Sequence, residues 1–287
     1  MVIALVPLVA LYALALLAGV AIFVVAIADG AWGALLGWFF FAACFTGLAV
    51  LHWTRAEEIV LRAARAKPVA PGEETDLRAL VERAAAAADL PAPRVALVRS
   101  WAPNALAVGL TPERATIAVT TELLRRLDER ELEAVLAHEL AHVANRDGLV
   151  MTFVSGPAML GAAMWTSDDG RGQVFYVLFY WPVHLLGLLL MWTISRYREY
   201  AADRGSAVIT GAPEQLMSAL TKIAGREPRG DLRGGAAVSA LCIVPAQRKS
   251  KFDFLRRFEV FVDHPPLEKR LARLADIALE MGRPARA

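Results

Sequence analysis

Hydrophobic positions along the chain fall into two regimes. Four stretches carry no Asp, Glu, Lys or Arg: Met1 to Ala28, Gly30 to Thr54, Gly148 to Ser167 and Gly172 to Ser195. Each has about the length that a helix rising ~1.5 Å per residue needs to cross ~30 Å of hydrocarbon. They predict two membrane hairpins, residues 1–54 and 148–195. The first stretch has no Lys or Arg ahead of its apolar part and is longer than a signal-peptide core, so a retained span is the better reading of it. The third, broken by Gly156, Pro157 and Gly161, is the weakest and is compatible with a re-entrant helix.

The remaining residues, 55–147 and 196–287, alternate polar and apolar positions as a water-facing domain does. Leu77, Leu80, Val81 and the alanines 84–88 predict a helix from about Glu74 to Asp89 after a turn at Pro68 to Gly72. Three short runs, Arg94 to Arg99, Asn104 to Leu110 and Arg114 to Thr120, are separated by Pro103 and by Thr111-Pro112. They predict a small antiparallel sheet. Asp128 with Glu131 three residues on has the form of a capping box, opening a helix through Leu132, Val135, Leu136 and Leu140. The expected fold class is therefore membrane-embedded α+β, with four transmembrane helices and one polar domain assembled from two segments.

Charge sets the orientation. Arg55, Arg62, Arg65 and Lys67 follow the second stretch and Arg196 and Arg198 follow the fourth, whereas the two opposite connections hold a single basic residue, Arg171. By the positive-inside rule the polar domain and both termini are cytoplasmic, in a multi-pass plasma-membrane protein. An apolar fraction of 56% and a mean hydropathy of +0.43 fit a protein with a lipid bilayer as one of its solvents. The net charge of +2 gives no basic field for nucleic acid, and that class of partner is excluded. Cys44 and Cys242 lie far apart in different regimes, which argues against a disulfide or a cysteine metal site.

The chemistry sits on the capped helix. His138-Glu139-Leu140-Ala141-His142 has the form H-E-x-x-H. Residues four apart lie one turn apart on one helix face, so both imidazoles can hold one Zn²⁺ at about 2.0–2.1 Å. Glu139, one step round the helix, can take the proton of a water acidified by the metal as it attacks a peptide carbonyl. A third ligand is required from elsewhere. Glu199, in Arg196-Tyr197-Arg198-Glu199-Tyr200-Ala201-Ala202-Asp203, suits, because His142 precedes the third stretch and Glu199 follows the fourth, at the same bilayer face. Asp203, one turn on, can accept a hydrogen bond from the second N–H of a ligand histidine. Read alone, Glu199 is equally compatible with an ordinary solvated carboxylate between arginines.

These motifs, together with Pro103-Asn104-Ala105-Leu106-Ala107-Val108-Gly109 and His264-Pro265-Pro266-Leu267-Glu268-Lys269-Arg270-Leu271, make the chain resemble the HtpX-type membrane metallopeptidases, gluzincins related to the CAAX prenyl endoprotease. The resemblance implies one zinc per chain held by His138, His142 and Glu199, with Glu139 as general base and Asp203 behind a ligand. It implies a zincin-like domain in which Asn104, Ala105, Leu106 and Ala107 form a sheet edge that receives protein or peptide substrate as an added strand. It also implies that His264 and Arg270 face the cleft and help hold substrate or the oxyanion. At Leu106-Ala107-Val108 the family more often has an aromatic residue and Thr, which leaves side-chain preference open. Without the resemblance, His264 reads as a turn residue before a helix. The activity so implied is endoproteolysis of membrane or misfolded proteins in quality control. A prenyl-protein protease and a non-catalytic zinc-binding scaffold are the competing readings. The Gly- and Arg-rich residues Gly225 to Arg257 read as a loop.

Overall fold

The computed structural model describes residues 60–70, 72–151, 181–224 and 265–283, with isolated positions between 30 and 58; for 181–190 it describes the backbone alone. The chain divides into two units, Met1–Glu58 and Ile59–Ala287. The described positions of the first are helical apart from a turn at Gly30, with Leu36 and Phe39 exposed three residues apart. The first and third apolar stretches, the Gly225 to Arg257 segment and His264 lie wholly or mostly outside the described residues. Among the described residues no helix is long and apolar enough to cross a membrane.

The second unit runs β1 (Lys67–Pro68), α1 (Thr75–Ala87), β2 (Arg94–Val98), β3 (Ala105–Val108), a 3-10 turn (Pro112–Arg114), β4 (Thr116–Thr120), α2 (Thr121–Arg126), α3 (Glu129–Ala144), α4 (Trp181–Thr210), α5 (Pro213–Ala224) and α6 (Leu267–Glu280). The sheet has the order β1-β2-β4-β3. The antiparallel expectation holds for β3 against β4 and for β1 against β2, but β2 and β4 are parallel, so the sheet is mixed. The reason lies in β4, whose five residues Thr116–Thr120 are all buried. That strand takes a central place, and the β3–β4 hairpin must fold back to set it against β2, leaving β3 on the edge.

Alternation along the strands assigns the two faces. Val95, Ala105, Ile117 and Val119 point into the main core with Leu77, Leu80 and Val81 of α1, Leu132, Val135, Leu136 and Leu140 of α3, Leu216 and Leu220 of α5 and Leu274 of α6. Ala96, Val98, Leu106, Val108 and Ala118 pack on the other side against Ala64 and the helical residues 60–63. The small Ala105 and Ala107 of the edge strand therefore share the face on which α3 lies.

The capping box predicted for α3 is present. Asp128 Oδ1 accepts from the Glu131 amide at 3.0 Å and Glu131 Oε2 from the Asp128 amide at 3.0 Å. Glu131 is buried and also accepts from Ser218 Oγ at 2.7 Å, fastening this helix end to α5. Against α3 packs α4, a continuous helix of 30 residues through Ser195 and Arg196. Small residues let the two come close: a Cβ on Gly205 would stand 2.5 Å from Ala141 Cβ, and Ser206 Oγ donates to the Ala134 carbonyl at 2.7 Å. This approach sets Glu199 and Asp203 opposite His138 and His142.

One contact couples the edge strand to the end of α3. A Cβ on Gly148 would fall 2.5 Å from the carbonyl oxygen of Gly109, which follows β3. A methyl group cannot occupy that distance from backbone oxygen, so Gly148→Ala must displace the strand end. Chemical unfolding should register a loss of about 1–3 kcal/mol, the usual cost of overpacking a tight site; an unchanged midpoint would show that the backbone yields freely there.

Candidate metal centre

His138 and His142 project from one face of α3 with their Nε2 atoms 3.2 Å apart. Glu199 of α4 closes the third side: its Oε2 lies 3.7 Å from His138 Nε2 and its Oε1 3.6 Å from His142 Nε2. Within the described residues this trio is a group able to hold a metal ion, with donor atoms all within 4.8 Å of one another. His138 and Glu199 are buried.

Behind the trio sit two carboxylates. Asp203 Oδ1 is 3.1 Å from His138 Nδ1, and Asp147 Oδ2 is 2.6 Å from His142 Nδ1. An ionised carboxylate only accepts, so each ring carries its hydrogen on Nδ1 and turns the Nε2 lone pair toward Glu199. Two lone pairs and a carboxylate then converge, an arrangement suited to a cation. In the metal-free chain a proton takes that part. Burial opposes a charge on His138, but the hydrogen bonds to Asp203 and Glu199 outweigh it, and the imidazole is held up at about 9. The donor set, two imidazole nitrogens and one carboxylate, fits a divalent metal of the zinc type.

Arg270, on α6, is buried. Its Nε and Nη2 donate to Asp203 at 2.9 and 2.6 Å, and Nη1 lies 3.4 Å from Glu199 Oε2. The guanidinium thus stands behind the ligands, joined bidentately to Asp203. Burial pushes the Asp203 carboxyl up, but Arg270 and then His138 outweigh this and hold it below the usual carboxylate range. The companion position His264 is outside the described residues.

Glu139 is buried and belongs to neither imidazole pair. Burial raises its carboxyl above the ordinary range; His142 and His138 pull it down, Glu199 pushes it up, and a backbone hydrogen bond from Ala107 lowers it. That last contact places the Glu139 carboxyl at the edge of β3. The strand's register explains why. Thr120 N donates to the Asn104 carbonyl at 2.9 Å and the Asn104 amide to Thr120 Oγ1 at 2.8 Å, so Asn104 faces β4. By the alternation of an antiparallel pair, Leu106 and Val108 also bond inward opposite Ala118 and Thr116. The peptide groups of Ala105 and Ala107 turn to the open edge, where no described strand lies. Of the four residues expected at a substrate edge, these two offer backbone outward, and Asn104, buried, anchors the strand from behind.

Two participants have no site role in the sequence reading, Asp147 and Arg198, whose Nε lies 3.1 Å from Asp147 Oδ2. Their only sequence signal is an acidic residue five positions after His142 and a basic one beside Glu199.

Two histidines on a capped H-E-x-x-H helix, a glutamate facing them from α4 and an edge strand beside them define a metallopeptidase-like site, and comparison with known proteins agrees. Residues 71–278 match peptidase family M48. A protease HtpX homolog of Moorella thermoacetica is 44% identical over 243 residues, 79% of this chain and 80% of the relative. Protease HtpX homolog 2 of Methanosarcina acetivorans is 40% identical over 256 residues, 84% of each chain. A homolog from Pyrococcus furiosus is 37% identical over 256 residues, 85% of this chain and 84% of the relative. Among solved structures, S. mikatae Ste24p aligns with a TM-score of 0.49 at 19% identity, covering 83% of this chain and 57% of that one. The chain belongs to peptidase family M48. It is a metalloprotease, an enzyme that hydrolyses peptide bonds, as the motifs had implied.

Proposed function

We propose that the chain is a zinc-dependent endopeptidase, anchored in the plasma membrane, that cleaves membrane or misfolded proteins at the cytoplasmic face. The observation that carries the reading is the convergence of His138 Nε2, His142 Nε2 and a Glu199 oxygen within 4.8 Å, next to the Glu139 carboxyl. His138, His142 and Glu199 hold the zinc in this reading, Asp203 orients His138, and Arg270 keeps Asp203 ionised. Zinc in that position supplies Lewis acidity, acidifying water and polarising the scissile carbonyl.

The chain's own residues supply the rest. A substrate segment adds to β3, its backbone pairing with the outward groups of Ala105 and with the Ala107 carbonyl, while the Ala107 N–H is held by Glu139. This fixes the register of the scissile bond against the metal. Glu139, raised by burial, holds the proton taken from water and returns it to the departing amine. The four uncharged stretches, the basic residues flanking the second and fourth, and the exposure of Leu36 and Phe39 support the bilayer assignment. In this reading residues 1–54 and 148–195 are the membrane hairpins, and 55–147 and 196–287 form one catalytic domain.

The test begins with purified full-length chain in detergent. Elemental analysis should find one zinc per chain, and a chelator should stop cleavage of an unfolded test protein such as casein, with zinc restoring it. A metal-free chain that still cleaves would overturn the reading. A pH dependence follows from His138. Below about 9 its ring holds a proton in the metal-free chain, and zinc must displace it. Apparent zinc affinity should therefore rise about tenfold per pH unit from near neutrality up to that value and level off above it. Competition titration against a chelator measures this; a flat profile would show that His138 is not displaced.

A further inference from the structure

We propose that Asp147 is a positioning residue for the metal: backed by Arg198, it sets the tautomer and ring plane of His142, as Asp203 backed by Arg270 does for His138. The inference rests on the zinc assignment above and extends it to residues outside the H-E-x-x-H and Glu199-x-x-x-Asp203 motifs.

The two halves of the site share one layout, although Arg270 donates to Asp203 through two nitrogens and Arg198 meets Asp147 as an ion pair at Nε. Each ligand imidazole presents Nε2 to the centre and Nδ1 to a buried aspartate, at 3.1 Å for His138 and 2.6 Å for His142. Each aspartate is 1% exposed, and each meets a buried arginine, at 2.6 Å for Asp203 and 3.1 Å for Asp147. A carboxylate so fully withdrawn from water is costly unless compensated, and its partners are a ligand histidine and one guanidinium. The second arginine arrives from α4, beside Glu199, whereas Arg270 arrives from α6.

The local backbone is arranged to deliver Asp147. The C-terminus of α3 closes with the Asn145 amide on the Ala141 carbonyl at 3.0 Å and the Arg146 amide on the Val143 carbonyl at 3.0 Å. Arg146 itself adopts φ 54, the left-handed conformation that ends a helix and that a residue with a Cβ enters at some cost. That reversal turns Asp147 back toward the helix it has just left, within reach of the preceding turn. The next residue, Gly148, is the one pressed against Gly109 at the end of the edge strand. Asp147 therefore ties the aim of His142 to the segment that abuts the substrate edge.

A plain structural role, neutralising Arg198 and starting the next helix, would leave metal affinity untouched in folded protein. The positioning role does not. Asn at 147 can turn its amide N–H toward His142 Nδ1 and favour the tautomer with hydrogen on Nε2, which removes the lone pair from the centre. In full-length protein, Asp147→Asn and Asp147→Ala should weaken zinc binding about 10–100-fold by chelator competition. The visible spectrum of the cobalt-substituted protein should change, and Asp147→Glu should lie nearer to wild type than either. Zinc affinity within about twofold of wild type in both variants, with an unaltered cobalt spectrum, overturns the proposal. Should neither variant fold, Arg198→Gln, which removes only the counter-charge, should lose several-fold in affinity; no loss there overturns it equally. Failure of the wild type to bind one zinc would fall on the metal assignment, whereas wild-type binding with unaffected variants falls on Asp147 alone.

Discussion

Glu139→Gln should lower the turnover number for peptide hydrolysis by about 10²–10⁴-fold, the range a positioned general base contributes, while the protein still carries its zinc. The two halves of this result have different causes. Gln keeps the size of the side chain and an oxygen that accepts from the Ala107 amide, so the edge strand and the fold are retained. It has no carboxylate to take the proton from water. Metal content should be preserved because the proposed ligands are His138, His142 and Glu199, and the raised Glu139 carboxyl is not in that group. Proteolysis of casein and zinc analysis on the same preparation measure both halves. Full cleavage by the zinc-loaded variant would remove Glu139 from the base role; loss of zinc along with activity would make it a ligand or a structural support. Comparing membrane proteomes of cells carrying wild type and this variant would then point to the natural substrates, since the inactive enzyme leaves them uncleaved.

What was legible in the sequence was local. The capping box of α3 depends on two side chains three residues apart, and Asp128 and Glu131 announce it. The helix through Leu77, Leu80 and Val81 depends on period, and it spans Thr75–Ala87 where Glu74 to Asp89 was read. Sheet direction is not local. Parallel and antiparallel strands alternate alike, so the run Thr116–Thr120 could be recognised as a strand but not as the centre of a mixed sheet; the informative sign was that it has no solvent face. The helix α2 between β4 and α3 went unread because it is only one and a half turns long, begun by the Thr120 hydroxyl accepting from the Leu123 amide at 3.3 Å. Asp147 was hidden for a third reason. Its role depends on Arg146 leaving helical geometry with φ 54, and an arginine gives no hint of a left-handed turn where a glycine would have.

The pairing of His138 with Asp203 and Arg270 raises the question whether so buried an ion pair is kept for stability or for the metal, and a double-variant comparison separates the two. Asp203→Ala takes from Arg270 both of its hydrogen bonds to Asp203, at 2.9 and 2.6 Å, at a guanidinium that is 2% exposed and has Glu199 Oε2 at 3.4 Å. Removing one partner of a buried ion pair costs about 3–5 kcal/mol, so unfolding should occur at markedly lower denaturant, the largest stability effect expected for a single substitution here. Replacing both partners by apolar residues, Asp203→Leu with Arg270→Met, removes both charges of the pair, and such swaps are commonly neutral or better. Stability should return toward wild type. Zinc affinity should not, because His138 Nδ1 still lacks the carboxylate that fixes its tautomer, and a loss of about 10–100-fold should persist. A double variant that recovers both stability and zinc affinity would show that the pair serves the fold alone. Recovery of stability without affinity means that α6 presses Arg270 onto Asp203 to hold one imidazole in line, and that the cost of burying the pair is borne for the chemistry.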